Sequence, residues 1–269
     1  MVGARPVSGA GRGAALVLAG KRDGVVDPLA AEAGVTHKCL VGVGGRAMLL
    51  HPLAALVAAP EVARIYISID DPAALDAVPQ IAKWRAEGRV VIVAARPNLV
   101  DSVVAAADLS GFPLLVTTAD NVLLTPAVVA EFGRAARAAR ADVAVAFATR
   151  ASVLAAHPDG QRRFYRFRCG SYSNCNLYRL GDERALAAAE TFRSGGQFAK
   201  HPLRIVGAFG VLNLLRFRFG IGTLAAAFGR FSRRFGLRMT PVVIADGAAA
   251  IDVDNPRTLR VAEQVLAAR

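Results

Sequence analysis

Short apolar runs rich in β-branched residues alternate with helical segments along most of this chain. Strands that are apolar throughout, without polar alternation, are typical of a sheet covered by helices on both faces. The alternation therefore predicts a three-layer α/β domain with a mostly parallel central sheet. The runs that we interpret as strands are residues 14–19, 64–69, 90–94, 113–118, 142–148 and 241–245.

The alternation loosens between residues 151 and 238, and we predict an elaboration of the core there. Its first part, residues 151–179, is polar, aromatic and basic, and a helical insert is predicted near 182–238. The sequence contains no recognisable linker or internal repeat. We therefore expect one domain over residues 14–269, preceded by a flexible N-terminus at 1–13.

The charge of the chain is strongly positive, with 33 Lys and Arg residues against 21 Asp and Glu residues and a formal net charge of +12. Most of these cations are arginines, which suit nucleotides, nucleic acid or an anionic membrane surface. A compositional bias of the genome toward Arg and Ala would produce the same excess. A hydrophobic fraction of 54% excludes a disordered chain.

The three cysteines, Cys39, Cys169 and Cys175, are scattered and odd in number, which favours free thiols in a reducing compartment. Arginines interrupt the most apolar late stretch before it reaches the roughly 20 residues of a membrane-spanning helix. We therefore expect a soluble, cytoplasmic protein. Its basic insert is a candidate for peripheral membrane contact.

Ligands of open α/β sheets bind beyond the carboxyl ends of the strands, so the residues after each strand carry the functional prediction. The first run ends in Leu18-Ala19-Gly20-Lys21-Arg22, and Lys38 follows after a loop. A glycine lets the backbone approach a phosphate, and cationic side chains neutralise its charge. The spacing matches neither the Walker motif nor the dinucleotide-binding motif.

Three acidic residues also follow predicted strands. Asp120 ends an apolar strand, and period-two spacing places Asp252 and Asp254 on one face of an extended segment. One or two carboxylates with substrate phosphate oxygens are the usual ligands of Mg²⁺. The alternative is that Asp120 and Asp254 only cap the helices that follow them.

A further polar turn follows the run at 90–94 and contains Asn98 and Ser102. These side chains could read the edge of a base. An ordinary loop with a helix cap is the alternative interpretation of the same residues.

Taken together and in this order, these strand ends resemble nucleotidyltransferases of the sugar-nucleotide type. That family includes the molybdenum-cofactor guanylyltransferases and the cytidylyltransferases of isoprenoid and sugar-acid pathways. The resemblance runs from Ala15 to Ala267. The family signature Leu-Ala-Ala-Gly-x-Gly-x-Arg is matched in part at 18–22, and His37 replaces the proline that precedes the family's lysine. Residues 118–126 and 251–256 look like the family's metal-binding strand end and its closing Asp-x-Asp segment.

The resemblance implies a Rossmann-like, GT-A-like fold. It also implies transfer of a nucleoside monophosphate from CTP or GTP to a phosphorylated small molecule, with release of pyrophosphate. Lys38 and Arg22 would be catalytic at the phosphates, and Asn98 and Ser102 would face the base. Mg²⁺ or Mn²⁺ would be held by Asp120 and Asp254, with Asp252 as the reserve ligand. The implied nucleotide-binding set is Leu18, Ala19, Gly20, Lys21, Arg22, Lys38, Asn98, Ser102 and Asp120.

Two other functions remain open from the sequence. One is a glycosyltransferase of the same fold that uses a nucleotide-sugar donor, and the other is a polyanion-binding protein without catalysis. The basic, aromatic insert over 164–238 is expected to contact the acceptor or a lipid surface, or to form a helical core covered by arginine stems.

Overall fold

The computed structural model describes residues 12–21, 27–190, 215–216, 219 and 221–269. The predicted flexible N-terminus, except for its last two residues, therefore lies outside the described residues, as do Arg22 and much of the predicted helical insert.

The centre of the fold is an eight-stranded sheet in which most neighbouring strands are parallel. The fold prediction is confirmed, because each of the predicted strand runs coincides with one strand of this sheet. The strands are β1 (Gly13–Leu18), β4 (Val62–Ile69), β5 (Val90–Ala94), β6 (Leu114–Thr118), β7 (Val143–Thr149), β8 (Tyr165–Phe167), β9 (Gly170–Leu180) and β10 (Met239–Ile244), and a separate hairpin joins β2 (Gly42–Val43) and β3 (Arg46–Ala47). The strand order across the sheet is β10-β7-β9-β6-β1-β4-β5, and β8 pairs with β9.

Helices cover both faces of this sheet. Their bounds are α1 (Pro28–Glu32), α2 (Leu50–Ala58), α3 (Pro79–Ala86), α4 (Leu99–Ser110), α5 (Pro126–Ala138), α6 (Arg150–Ala156), α7 (Ala185–Glu190), α8 (Leu224–Phe235) and α9 (Pro256–Ala267). Short 3-10 turns occur at Lys38–Leu40, Pro72–Leu75 and Gly247–Ala250. No helix in the described ranges combines the length and apolarity needed to cross a membrane.

Strand β1 shows why its sequence is apolar throughout. Ala15 and Val17 pack into the core beneath α2, α5 and α9, whereas Ala14 and Leu16 pack into a second core beneath α4 and α7. Successive side chains of a strand point to opposite faces, so a strand buried on both sides must be apolar at every position.

The long strand β9 differs from the sequence interpretation, which treated residues 151–179 as an elaboration outside the sheet. It lies between β6 and β7 and is antiparallel to both. Its polar residues conceal it from a search for apolar runs. Asn174 and Asn176 belong to this strand, and Asn176 contacts the polar site described below.

The strand order places the ends of several strands side by side. β1 pairs in parallel with β4 on one side and with β6 on the other, so the chain first extends the sheet on one side of β1 and then returns to extend it on the other side. The Ala19 N–H donates to the Ser68 carbonyl at 2.9 Å, and the Ala119 N–H donates to the Leu18 carbonyl at 3.0 Å. The segments after β1 and β6 therefore meet at the position where ligands of open α/β sheets bind.

Candidate active site

The site centres on Lys38, whose ammonium group bridges two carboxylates. Its Nζ lies 2.7 Å from Asp120 Oδ2 and 2.6 Å from Asp254 Oδ1. Burial alone would lower the pKa of Lys38, but the charges and hydrogen bonds of Asp120 and Asp254 outweigh it and raise this pKa above its ordinary value. Lys38 is therefore a fixed positive charge at neutral pH.

Backbone contacts hold the two acidic segments together. The Val253 N–H donates to the Asp120 carbonyl at 3.1 Å, which aligns the extended segment 251–254 beside the end of β6. Ile251 and Val253 are buried in the core, whereas Asp252 and Asp254 alternate with them. The period-two prediction for these residues is confirmed.

Asp252 is the carboxyl group of the site whose ionisation its surroundings disfavour. Its Oδ2 accepts a hydrogen bond from Asn176 Nδ2 at 2.7 Å, whereas its Oδ1 is buried and has no hydrogen-bond partner. Burial raises the pKa of Asp252 well above the usual carboxyl range, and the nearby charges of Asp120 and Asp254 raise it further. This buried oxygen lacks the partner that such groups normally have in folded proteins.

The alternative role of these acids as helix caps is wrong for both. The helix α5 is capped by the Thr125 hydroxyl, which accepts from the Val128 N–H at 3.3 Å. The helix α9 is capped by Asn255 in a reciprocal arrangement with Thr258. The carboxylates of Asp120 and Asp254 are thus free of a capping function.

The donor set fits a hard divalent cation. Three carboxylates gather around one ammonium group, and one buried carboxylate oxygen is unpartnered. Oxygen ligands of this kind are those that Mg²⁺ prefers. Within the described residues, no three His, Cys, Asp or Glu side chains form a preassembled metal centre. Lys38 lies between Asp120 and Asp254, so it has to shift before both carboxylates can bind one ion.

A second polar cluster joins the ends of β1 and β4 through Asp70. Asp70 accepts from the Lys21 N–H at 2.9 Å, and its Oδ2 lies 3.3 Å from His37 Nε2 and 3.8 Å from Lys21 Nζ. Burial opposes ionisation of Asp70, but the Lys21 N–H and His37 outweigh it and lower its pKa. We did not predict Asp70 as a site residue, although an Asp directly after an apolar strand was an available signal.

Gly20 lies where these strand ends approach each other. A Cβ at this position would come within 3.2 Å of the Ala95 Cβ and 3.4 Å of Asp70 Oδ1. The glycine therefore allows a close approach between the loops after β1, β4 and β5. The N–H groups of Ala19 and Lys21 already bond to protein oxygens, so a phosphate would have to compete with Ser68 and Asp70 for them.

The two predicted base-facing residues are engaged in their own turn. Asn98 caps α4 by accepting from the Asp101 N–H at 2.9 Å. Ser102 is buried, and its hydroxyl accepts from the Arg96 N–H at 2.9 Å and donates to the Asn98 carbonyl at 3.2 Å. These contacts match the helix-cap alternative, and the base-reading role stays a prediction.

Several asparagines that support the site were not predicted. Asn176 has a positive φ of 45°, next to the irregular pairing of β9 with β7, and this conformation accompanies its contact with Asp252. Asn121 is fully buried, and its Nδ2 donates to Thr117 Oγ1 at 3.1 Å and to the Cys175 carbonyl at 2.9 Å. It joins the segment that follows Asp120 to strand β9.

Known proteins resemble this chain over most of its length. The family model of the MobA-like NTP transferase domain matches residues 15–203. A solved structure described as a hypothetical transferase from Thermus thermophilus has 26% sequence identity and a TM-score of 0.76, covering 92% of this chain and 99% of that chain. No protein with a curated description matches the chain.

Two further solved structures share the fold at low sequence identity. A CMP:2-keto-3-deoxy-manno-octonic acid synthetase complexed with CTP has 15% identity and a TM-score of 0.56, covering 95% of this chain and 99% of that chain. A 4-diphosphocytidyl-2C-methyl-D-erythritol synthase from Anaerococcus prevotii has 11% identity and a TM-score of 0.57, covering 96% and 97%, respectively. At these identities the similarity establishes the fold alone.

Proposed function

Because this chain belongs to the family of the MobA-like NTP transferase domain and is a nucleotidyltransferase, we propose that it transfers a nucleoside monophosphate to a phosphorylated small molecule. The donor is CTP or GTP, and pyrophosphate is released. The reaction depends on Mg²⁺ or Mn²⁺, and residues 14–269 act as one catalytic domain.

One observation carries this proposal: Lys38 lies between Asp120 and Asp254 at the sheet edge where β1 and β6 end. The arrangement places a permanent cation and a set of carboxylates at one point. A metal–triphosphate complex needs both, because its phosphate oxygens bind cations and its metal binds carboxylates.

Transfer of the nucleoside monophosphate is a substitution at the α-phosphorus of the donor. A phosphate oxygen of the acceptor attacks the α-phosphorus, and the bond from that phosphorus to the oxygen bridging to the β-phosphate breaks. Lys38 turns from the carboxylates toward the α-phosphate and offsets its negative charge. Asp120 and Asp254 would hold the metal ion, with Asp252 as a further donor. When bound, the ion supplies Lewis-acid stabilisation of the phosphate charge.

The loop after β1 completes the phosphate site in this proposal. Lys21 and the Gly20 backbone contact the β- and γ-phosphates, together with Arg22. Asp70 accepts from the Lys21 N–H and is itself in contact with His37, so these two residues position the loop rather than touch the nucleotide. Leu18 and Ala19 contribute through their main chain, and Asn98 and Ser102 lie toward the base. Positioning and charge stabilisation supply most of the catalysis in phosphoryl-type transfers.

Family membership also bears on the alternatives. A glycosyltransferase with a nucleotide-sugar donor and a polyanion-binding protein without catalysis both lose support, because the matched family transfers from nucleoside triphosphates. CTP is the first donor to test, since one fold neighbour is complexed with CTP and another is named for a diphosphocytidyl product.

The test is a thermal-shift comparison of ATP, CTP, GTP and UTP, each with Mg²⁺ and again with EDTA. A ligand that binds only the native state stabilises it by mass action, about 2.7 kcal/mol at one hundred times its Kd. We expect a selective, metal-dependent rise in Tm for CTP or GTP that Asp120→Asn abolishes. The matched control is Arg85→Gln, an exposed charge on α3 away from the site. Equal shifts for all four nucleotides without metal dependence would refute the proposal.

A further inference from the structure

Four arginines line one cavity beside the first residues of strand β9. The cavity has a volume of about 1060 Å³ and lies between α6, the segment 158–164 and strands β8 and β9. Arg150, Arg162, Arg163 and Arg166 all contribute to its wall. Gathering four like charges around one space is unfavourable in the absence of a counter-ion.

None of these guanidinium groups has an acidic partner within the described ranges of the chain. Other exposed arginines do pair with acids: Arg184 binds Asp142 and Asp182, and Arg269 binds Asp246. The cavity thus concentrates four arginines that have no acidic partner among the described residues.

The remaining wall of the cavity suits a small organic molecule. Arg150 lies over the Phe164 ring, with its Cζ 5.9 Å from the ring centroid. Gln161 and Ser171 add neutral hydrogen-bonding groups. A concave site with an aromatic ring and a few polar groups is typical of small-molecule recognition, whereas nucleic acid and membranes require an extended surface.

The position of the cavity relates it to the Lys38 site. Ser171 and Asn176 lie on the same strand, and Asn176 contacts Asp252. Five residues of extended strand span about 16 Å. Thr149, at the carboxyl end of β7, pairs with Tyr172, so the start of β9 beside the cavity lies at the same edge of the sheet as Asp120.

We propose that this cavity binds a second anionic group of the acceptor, separate from the group that attacks the nucleotide. The inference rests on the proposed transferase function and narrows its acceptor class. The acceptor is an elongated molecule with a phosphate at each end, one reacting near Lys38 and the other held by Arg150, Arg162, Arg163 and Arg166. Guanidinium groups bind phosphate through paired, charge-assisted hydrogen bonds.

The experiment measures binding of fructose 1,6-bisphosphate, a small organic bisphosphate, by isothermal titration calorimetry. EDTA is present, so that metal-dependent binding at the Lys38 site does not contribute. The variant is Arg163→Gln with Arg166→Gln, because both side chains are exposed and make no ion pair in the described part of the chain. The matched control is Arg85→Gln with Arg134→Gln, which removes the same amount of charge from exposed positions on α3 and α5.

We expect one binding site per chain, with Kd raised about tenfold or more in the cavity variant and changed less than about twofold in the control. Binding that is equal in wild type and cavity variant would overturn the inference. A second outcome would also overturn it: the wild type binds phosphatidylglycerol vesicles or a single-stranded oligonucleotide but no bisphosphate, and the cavity variant loses that binding. The ligand of the cavity would then be macromolecular. Arg162→Gln serves as a second variant if the double variant does not fold.

The metal-dependent nucleotide assay separates this inference from the proposed function. Selective nucleotide stabilisation with no cavity binding would remove only the second phosphate site. Cavity binding without nucleotide stabilisation would keep the anion site and refute the transferase proposal.

Discussion

Substitution of Asp252 by Asn is expected to stabilise the protein while weakening its metal site. In the wild type, Oδ1 of Asp252 is buried without a partner, and two further carboxylates raise its electrostatic energy. An Asn side chain keeps the acceptor for Asn176 Nδ2 and places an N–H group where the unpartnered oxygen lies. The neutral amide also removes the charge repulsion that Asp120 and Asp254 exert on the Asp252 carboxylate.

The magnitude follows from the cost of one buried, unsatisfied polar atom, about 1–3 kcal/mol. Each 1 kcal/mol changes Tm by about 2–4 °C in a chain of roughly this size. We therefore expect the metal-free variant to melt about 2–12 °C above the wild type at pH 7.5. With excess Mg²⁺ the difference should shrink, because the ion would stabilise the wild type, which keeps all three carboxylates, more than the variant.

The pH dependence supplies an independent check. A carboxyl whose pKa is raised by folding stabilises the native state below its unfolded pKa, about 3.9 for Asp, and loses that contribution as pH rises through the folded pKa. The stability difference between Asp252→Asn and the wild type should therefore vanish near pH 4 and grow toward neutral pH. Urea unfolding in EDTA at several pH values measures it. A variant less stable than the wild type at pH 7.5 would refute the reasoning.

Three other substitutions test the remaining parts of the site. Asp120→Asn should weaken Mg²⁺-dependent nucleotide binding at least about tenfold, measured by calorimetry, because it removes a charged metal ligand; unchanged affinity would exclude Asp120 as a ligand. Lys38→Ala leaves three carboxylates without a cation, so it should lower the metal-free unfolding free energy by about 1–3 kcal/mol and respond more strongly to added Mg²⁺ in urea titrations; a variant as stable as wild type would contradict this. Asp70→Asn should cost about 1 kcal/mol at pH 7. Because folding lowers the pKa of Asp70, that loss should be fully present above about pH 4 and should shrink as the pH falls below this value. A pH-independent loss would argue against the contacts of Asp70 with Lys21 and His37.

The sequence predicted the sheet well because burial on both faces leaves a local signal. Most residues of β1 and β4 to β7 are buried or partly buried between the helical layers, so each strand is a run of mainly apolar residues. Strand β9 was missed although it lies within the same sheet. Its Asn176 contacts Asp252 in the polar site, and a strand interrupted by polar residues does not produce an apolar run.

The acidic residues of the site could also be predicted, because each follows a recognisable strand or alternating segment. Their contacts could not be predicted. Asp120 is separated from Lys38 by 82 positions and Asp254 by 216 positions, and no local pattern encodes such distances. The same holds for the 33 positions between His37 and Asp70.

By itself, then, the sequence determined the layered α/β fold and the residues available at the strand ends, because periodicity and burial are local properties. The tertiary structure decided which of these residues meet. It assigned the caps of α5 and α9 to Thr125 and Asn255, and left Asp120 and Asp254 to bind Lys38. It also gathered four arginines into one cavity, because strand order brings together residues whose separation in the chain carries no signal.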